Sequence, residues 1–255
     1  MAFMRTSNPA LTDKAFSGLP YAGTERMTIN GTVNKTGILL LCTMATAFYT
    51  WHLFSASASF DGSPDAASIT PLLMLGVIGG FIFALVTIFK QSWAPVTAPI
   101  YALCEGLFLG GVSCLFELRY PGIAIQAVTL TFGTLFVLLL AYRSGLIQVT
   151  QKFRLGVVAA TGAVALFYLL QMVLSFFHLQ FTSVYGSGLV GIGFSLVVVA
   201  IAALNLVLDF DFIDRSAAYG APKYMEWYGA FGILVTLVWL YLEILRLLSK
   251  FRSRN

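Results

Sequence analysis

Seven long apolar runs, joined by mostly short connections, leave this 255-residue chain few ways to fold. They cover about 36–56, 71–90, 96–117, 122–142, 155–178, 187–209 and 226–248. A helix of roughly 20 apolar residues crosses a ~30 Å hydrocarbon core and satisfies its own backbone hydrogen bonds as it does so. The expected fold class is therefore an all-α polytopic membrane protein with seven transmembrane helices, its first partner being the lipid bilayer. Charged residues make up 10% of the chain against 58% hydrophobic, and they cluster between the runs, which excludes a water-soluble globular domain. The net charge of +4 reflects juxtamembrane Lys and Arg, so no nucleic-acid partner is expected. Three regions follow: an N-terminal arm over 1–35, a seven-helix transmembrane domain over 36–249 and a basic tail over 250–255.

Basic residues orient the runs, because cytoplasmic loops hold Lys and Arg. The arm carries Arg5, Lys14, Arg26 and Lys35; Lys90 borders the second connection; Arg143, Lys152 and Arg154 sit in the fourth, and Arg215 and Lys223 in the sixth. The odd connections hold Asp61 and Asp65 without a base, then Arg119 beside Glu117, then no charge. A cytoplasmic N-terminus follows. Seven crossings would leave Arg246, Lys250, Arg252 and Arg254 outside, against the rule; the alternative is a last segment that re-enters and returns its tail inside. The arm opens without an apolar stretch and small-residue cleavage site, so no cleaved signal peptide is expected. Gly76, Gly79 and Gly80, then Gly106, Gly110 and Gly111, and the alanines around Gly162 are expected to mark close helix contacts.

Five of the eleven acids lie between Asn205 and Leu248. An ionised group in hydrocarbon must be paired, hydrated or neutralised, so this hairpin is the candidate working part. Asp209, Asp211 and Asp214 do not make an EF-hand, since Ile213 and Asp214 stand where that loop needs an oxygen ligand and glycine. If the segment is helical, Asp209 and Asp211 point about 200° apart, at ~100° per residue. An antiparallel hairpin turning near Ala218 brings Glu226 level with Asp209 and Asp211. Carboxylates sharing one site hold a proton that a cation can replace, which makes Asp209 and Glu226 the candidate metal pair. The plainer reading of Glu226 is a favourable charge in the first turn of the seventh helix. Glu243 pairs by spacing with Arg246. Glu105 sits about 13 Å deep in the third run with no base within a helical turn, and is a further candidate ion-binding or gating group.

Other chemistries find little support. Cys42, Cys104 and Cys114 read as small buried hydrophobes without metal-like spacing. Gly186-Ser-Gly188-Leu-Val-Gly191 spells a dinucleotide fingerprint but opens a membrane run without a βαβ unit. His52 and His178 lie near run ends with no acidic cluster, no nucleophile elbow occurs, and the seventh run has no mid-helix lysine for a Schiff base. Neither an enzyme nor a tightly bound cofactor is expected.

Several stretches together resemble the Bax inhibitor family, also called the transmembrane Bax inhibitor motif family, in its bacterial branch. Leu208-Asp209-Phe-Asp211-Phe-Ile213 is similar to that family's Tyr-Asp-x-x-x-Ile signature. Pro222-Lys-Tyr224-Met-Glu226-Trp-Tyr228, Leu240-Tyr-Leu-Glu243-Ile-Leu-Arg246-Leu-Leu, Ala102-Leu-Cys-Glu105-Gly-Leu and Ser7-Asn-Pro9-Ala-Leu11 carry the likeness along nearly the whole chain. The resemblance implies six helices wrapped around a central seventh, and a pH-sensitive calcium leak gated by an acid pair from the sixth and seventh helices. Asp209 takes the first position. The second departs from the pattern: counted forward it falls near Leu234, counted back near Thr236, and neither titrates. Glu226 or Glu243 would have to replace it.

The function expected is a Ca²⁺ or other cation leak in a bacterial inner membrane, controlled by protonation of Asp209, Asp211 and Glu226, with Arg215 or Lys223 as closed-state counter-ion. Ca²⁺ is then the transported ion and H⁺ its competitor. The alternative is a non-transporting regulator that contacts a membrane protease or another membrane protein through the arm.

Overall fold

In the computed structural model the described residues are 26–57, 65–177, 186 and 188–254. The first 25 residues, with the Ser7 to Leu11 stretch, and Asp61 and His178 lie outside them. Seven long helices account for most of what is described: α1 (Ile29–Ala56), α2 (Thr70–Phe89), α3 (Ala94–Arg119), α4 (Ile123–Arg143), α5 (Gln151–Phe176), α6 (Leu189–Ala218) and α7 (Met225–Arg254). Each is long and apolar enough to cross a membrane. Short 3₁₀ turns, Ala66–Ile69 and Gln91–Trp93, lead into α2 and α3. No strand occurs among the described residues, only a single bridge between Arg26 and Pro222.

The helix ends explain themselves locally. Thr28 caps α1 by accepting the Gly31 N–H, and Thr150 caps α5 by accepting that of Phe153. Glu117 reaches past the end of its own helix to accept the N–H groups of Gly122 and Ala124, so it caps α4 from the preceding helix. Gly220, at φ 70°, makes the turn between α6 and α7 in a conformation that side chains disfavour.

The chain gathers into two compact units. One holds α1, α2 and α3 with the last turns of α6 from Ile213 and the first turns of α7 to Val235. Here α3 packs on both α1 and α2 through glycines, its own Gly106 and Gly110 against α1 and Gly76 of α2 against α3. A Cβ at Gly106 would overlap the Thr43 carbonyl and the Thr46 hydroxyl; one at Gly110 would lie 2.7 Å from the Ala47 carbonyl; one at Gly76 would lie 2.6 Å from the Phe108 nitrogen. Thr32, Thr36, Thr43 and Thr50 are buried along α1, each hydroxyl donating to the carbonyl four residues back, which leaves no polar hydrogen unmatched in apolar surroundings. The second unit holds α4 from Ile125, α5, α6 as far as Phe212 and α7 from Thr236. Its contacts include Phe167 against Phe194 and Asn205 donating to Thr161.

Burial singles out α7. Of its most apolar stretch 67% is buried, against 17–44% for the other six helices. One expectation fails at Gly162, which is exposed with nothing within 4 Å of where its Cβ would lie. Small residues on a helix permit a close neighbour without supplying one.

Candidate functional site

The helix α6 does not stop where its apolar run stops. It continues through Asp209, Asp211 and Asp214 to Ala218, because the first two acids are buried among partners rather than released to a loop. The two aspartates diverge, as ~100° of turn per residue demands. Asp209, wholly buried, accepts a 2.6 Å hydrogen bond from the Thr236 hydroxyl of α7. Asp211 accepts from the Arg154 guanidinium of α5 at 2.7 Å, both groups being buried. Arg154, one of the bases that orient the fourth connection in the sequence, is thus a buried ion-pair partner. Thr236 stands at one of the two positions where the family pattern would set a second acid.

The remainder of this unit carries a second polar chain along α7. Glu243 accepts from the Tyr168 hydroxyl at 2.9 Å and from Arg246 at 3.0 Å, and Arg246 also donates to Tyr168 at 2.6 Å. Lys250, buried, donates to the Gly191 carbonyl and the Ser195 hydroxyl. The residues expected to form a tail are therefore the last turns of α7.

In the other unit Glu226 is wholly buried in the first turn of α7. Its Oε1 accepts both the backbone N–H and the hydroxyl of Thr28, each at 2.9 Å, and its Oε2 pairs with the Lys35 ammonium. A helix start of the Ser/Thr-x-x-Glu kind returns the third-position carboxylate to the N-cap N–H. At α1 that third position is Gly31, and the carboxylate comes from α7 instead. A Cβ on Gly31 would overlap it. Lys35 also lies 5.6 Å from the Trp227 ring centre. Of the two bases expected as counter-ions, Lys223 stands off at 3.9 Å on an exposed stem and Arg215 lies half-buried in the last turns of α6. Lys35, counted in the sequence among the charges of the arm, holds the closer position. Glu105, buried in α3, is hydrogen-bonded with Tyr101 one turn back, and Tyr101 sets its ring edge-on to Phe231 of α7. Asp214 is half-buried at a cavity of about 420 Å³ lined also by Thr28, Ile29, Asn30, Ala217 and Ala218.

In one unit Asp209 accepts from Thr236, and in the other Glu226 closes on Thr28 and Lys35. Among the described residues no three His, Cys, Asp or Glu side chains gather as a metal-holding group. A carboxylate beside a hydroxyl can still take a proton or a hard cation, since the hydroxyl both donates and accepts.

Seven apolar spans, with acids buried inside them and matched one by one, define a multi-pass α-helical membrane protein. Residues 8–253 match the family model described as Bax inhibitor 1 like. The chain belongs to that family. No curated protein and no solved structure matches it.

Proposed function

We propose that this protein is a pH-sensitive cation leak that passes Ca²⁺ down its gradient, with Asp209 as the group whose protonation sets conduction. The observation that carries the reading is a wholly buried carboxylate on α6 that accepts a hydrogen bond from the Thr236 hydroxyl of α7. An acid buried inside a membrane helix marks an ion or proton route. Asp211 then serves as a fixed charge pair and Glu226 as a fixed charge beside Lys35. Glu105, with Tyr101 as its partner, is a second site where a proton or cation can be held. The reading is of a transport protein rather than an enzyme. In this reading it lies in a bacterial inner membrane, as the resemblance to the family's bacterial branch implies, and the loop bases put its N-terminus in the cytoplasm.

Radiolabelled Ca²⁺ uptake into proteoliposomes, measured across pH, tests this. Wild-type uptake should vary with pH, and Asp209→Asn should remove that variation while leaving melting close to wild type. Uptake that never exceeds protein-free vesicles, or that varies with pH equally in the variant, overturns it; the first result would turn attention to a regulator that binds a membrane protease.

A further inference from the structure

We propose that Glu226, Thr28 and Lys35 form a clasp that fixes the start of α1 to the start of α7, and that its release widens the cavity beside it. Three independent features converge on this. The carboxylate has no exposure and receives a cap N–H, a hydroxyl and an ammonium, all from α1 or its cap. Gly31 leaves the space the carboxylate fills, so the first turn of α1 is shaped around a group from another helix. Thr28, the residue that is held, is itself a wall of the cavity, facing Asp214, Ala217 and Ala218 of α6. Moving Thr28 moves that wall.

The backbone just before α1 is tied to the same place. The Met27 N–H donates to the Ala221 carbonyl at 2.7 Å, and the Arg26 side chain lies by Gly220. A neutralised Glu226 would leave the Lys35 ammonium unmatched beside buried surface, a state that favours letting the lysine swing outward on its long stem. Among the described residues the charged groups facing Glu226 are Lys35 from α1 and Lys223 from the turn before α7; Asp214 of α6 stands across the cavity and Arg26 beside the turn. The device is thus a switch between two arrangements of one helix start, biased by one charge pair.

The clasp can be read without any transport. In a chain with Cys42, Cys104 and Cys114 replaced by Ala and Ala217→Cys as reporter, a small maleimide labels the cavity wall in reconstituted vesicles. Glu226→Gln, Lys35→Met and Gly31→Ala should each speed labelling by on the order of tenfold, as expected when a minor open state becomes a major one. Lys35→Arg, which keeps the pair, should label as wild type does. Wild-type labelling rates in Glu226→Gln and Lys35→Met, both still folded by melting, would overturn the clasp, as would equal acceleration in Lys35→Arg. Should Glu226→Gln fail to fold, Lys35→Met and Gly31→Ala decide on the same terms. A flux arm rests on the leak reading: bridging Asn30→Cys to Ala217→Cys with a short bifunctional maleimide should abolish Ca²⁺ uptake. Unchanged uptake in the bridged protein would overturn the cavity's part in it. A wild type without uptake would sink the leak alone, since the labelling rates stand by themselves.

Discussion

At Asp211 the charge of α6 meets Arg154, and Asp209 accepts from the Thr236 hydroxyl of α7. The difference has a measurable size. Arg154→Ala leaves a buried carboxylate without its guanidinium and should cost about 3–5 kcal/mol, whereas Arg154→Met with Asp211→Leu should recover most of it, because a matched apolar pair replaces a buried ion pair at little cost. Thermal melting in detergent of Arg154→Met, Asp211→Leu and the double variant gives the coupling. Thr236→Val removes a donor from a charged acceptor and should cost about 1.5–3 kcal/mol by the same measurement, with Thr236→Ser close to wild type. Sequence alone pointed to the acids and not to what they touch. Asp209 and Glu226 stand out because a carboxylate beside an apolar run has no cheap explanation. Thr28, Thr236, Lys35 and Arg154 do not: a threonine in a helix and a base at a helix start each have an ordinary reading, and their partners lie 27 to 198 residues away. One local sign was present, an N-cap threonine whose helix has glycine where the capping glutamate belongs.

The helices themselves were legible, since seven apolar runs of membrane length admit little else, and each run lies within or almost within a helix. Their ends were not. The α6 helix extends nine residues past Asp209 because hydrophobicity marks where lipid could lie and says nothing of turns buried by polar partners. Glycine content was legible only where two helices meet. On α3, Gly106 and Gly110 let the α1 backbone approach so closely that side chains are excluded, while Gly162 on α5 meets nothing. Gly110→Leu should therefore separate α1 from α3 and unfold the first unit, with Gly162→Leu near neutral. Protease protection of the reconstituted protein distinguishes them: new cleavage between α1 and α3 is expected in the first variant alone.

Across the whole molecule, seven crossings, an odd number, would put the two ends of the chain on opposite faces of the bilayer. A single cysteine at position 2 and another at position 255 should react with an impermeant thiol reagent from opposite sides of oriented vesicles; reaction from the same side would require a last helix that re-enters. The family fold was readable from scattered motifs because their order along the chain is kept, while at Leu234 and Thr236, the two positions where the family pattern would set the second acid, no titratable residue stands.

Both α6 and α7 run 30 residues, about 45 Å at ~1.5 Å per residue. That is half again the ~30 Å of an average hydrocarbon core, and the excess holds buried acids and bases that resist being drawn into acyl chains. The lipid must adapt to this protein, or these two rods must lean. Reconstitution into phosphatidylcholines of graded acyl length should accordingly give an optimum, with ion uptake and melting both falling in the thinnest and thickest bilayers.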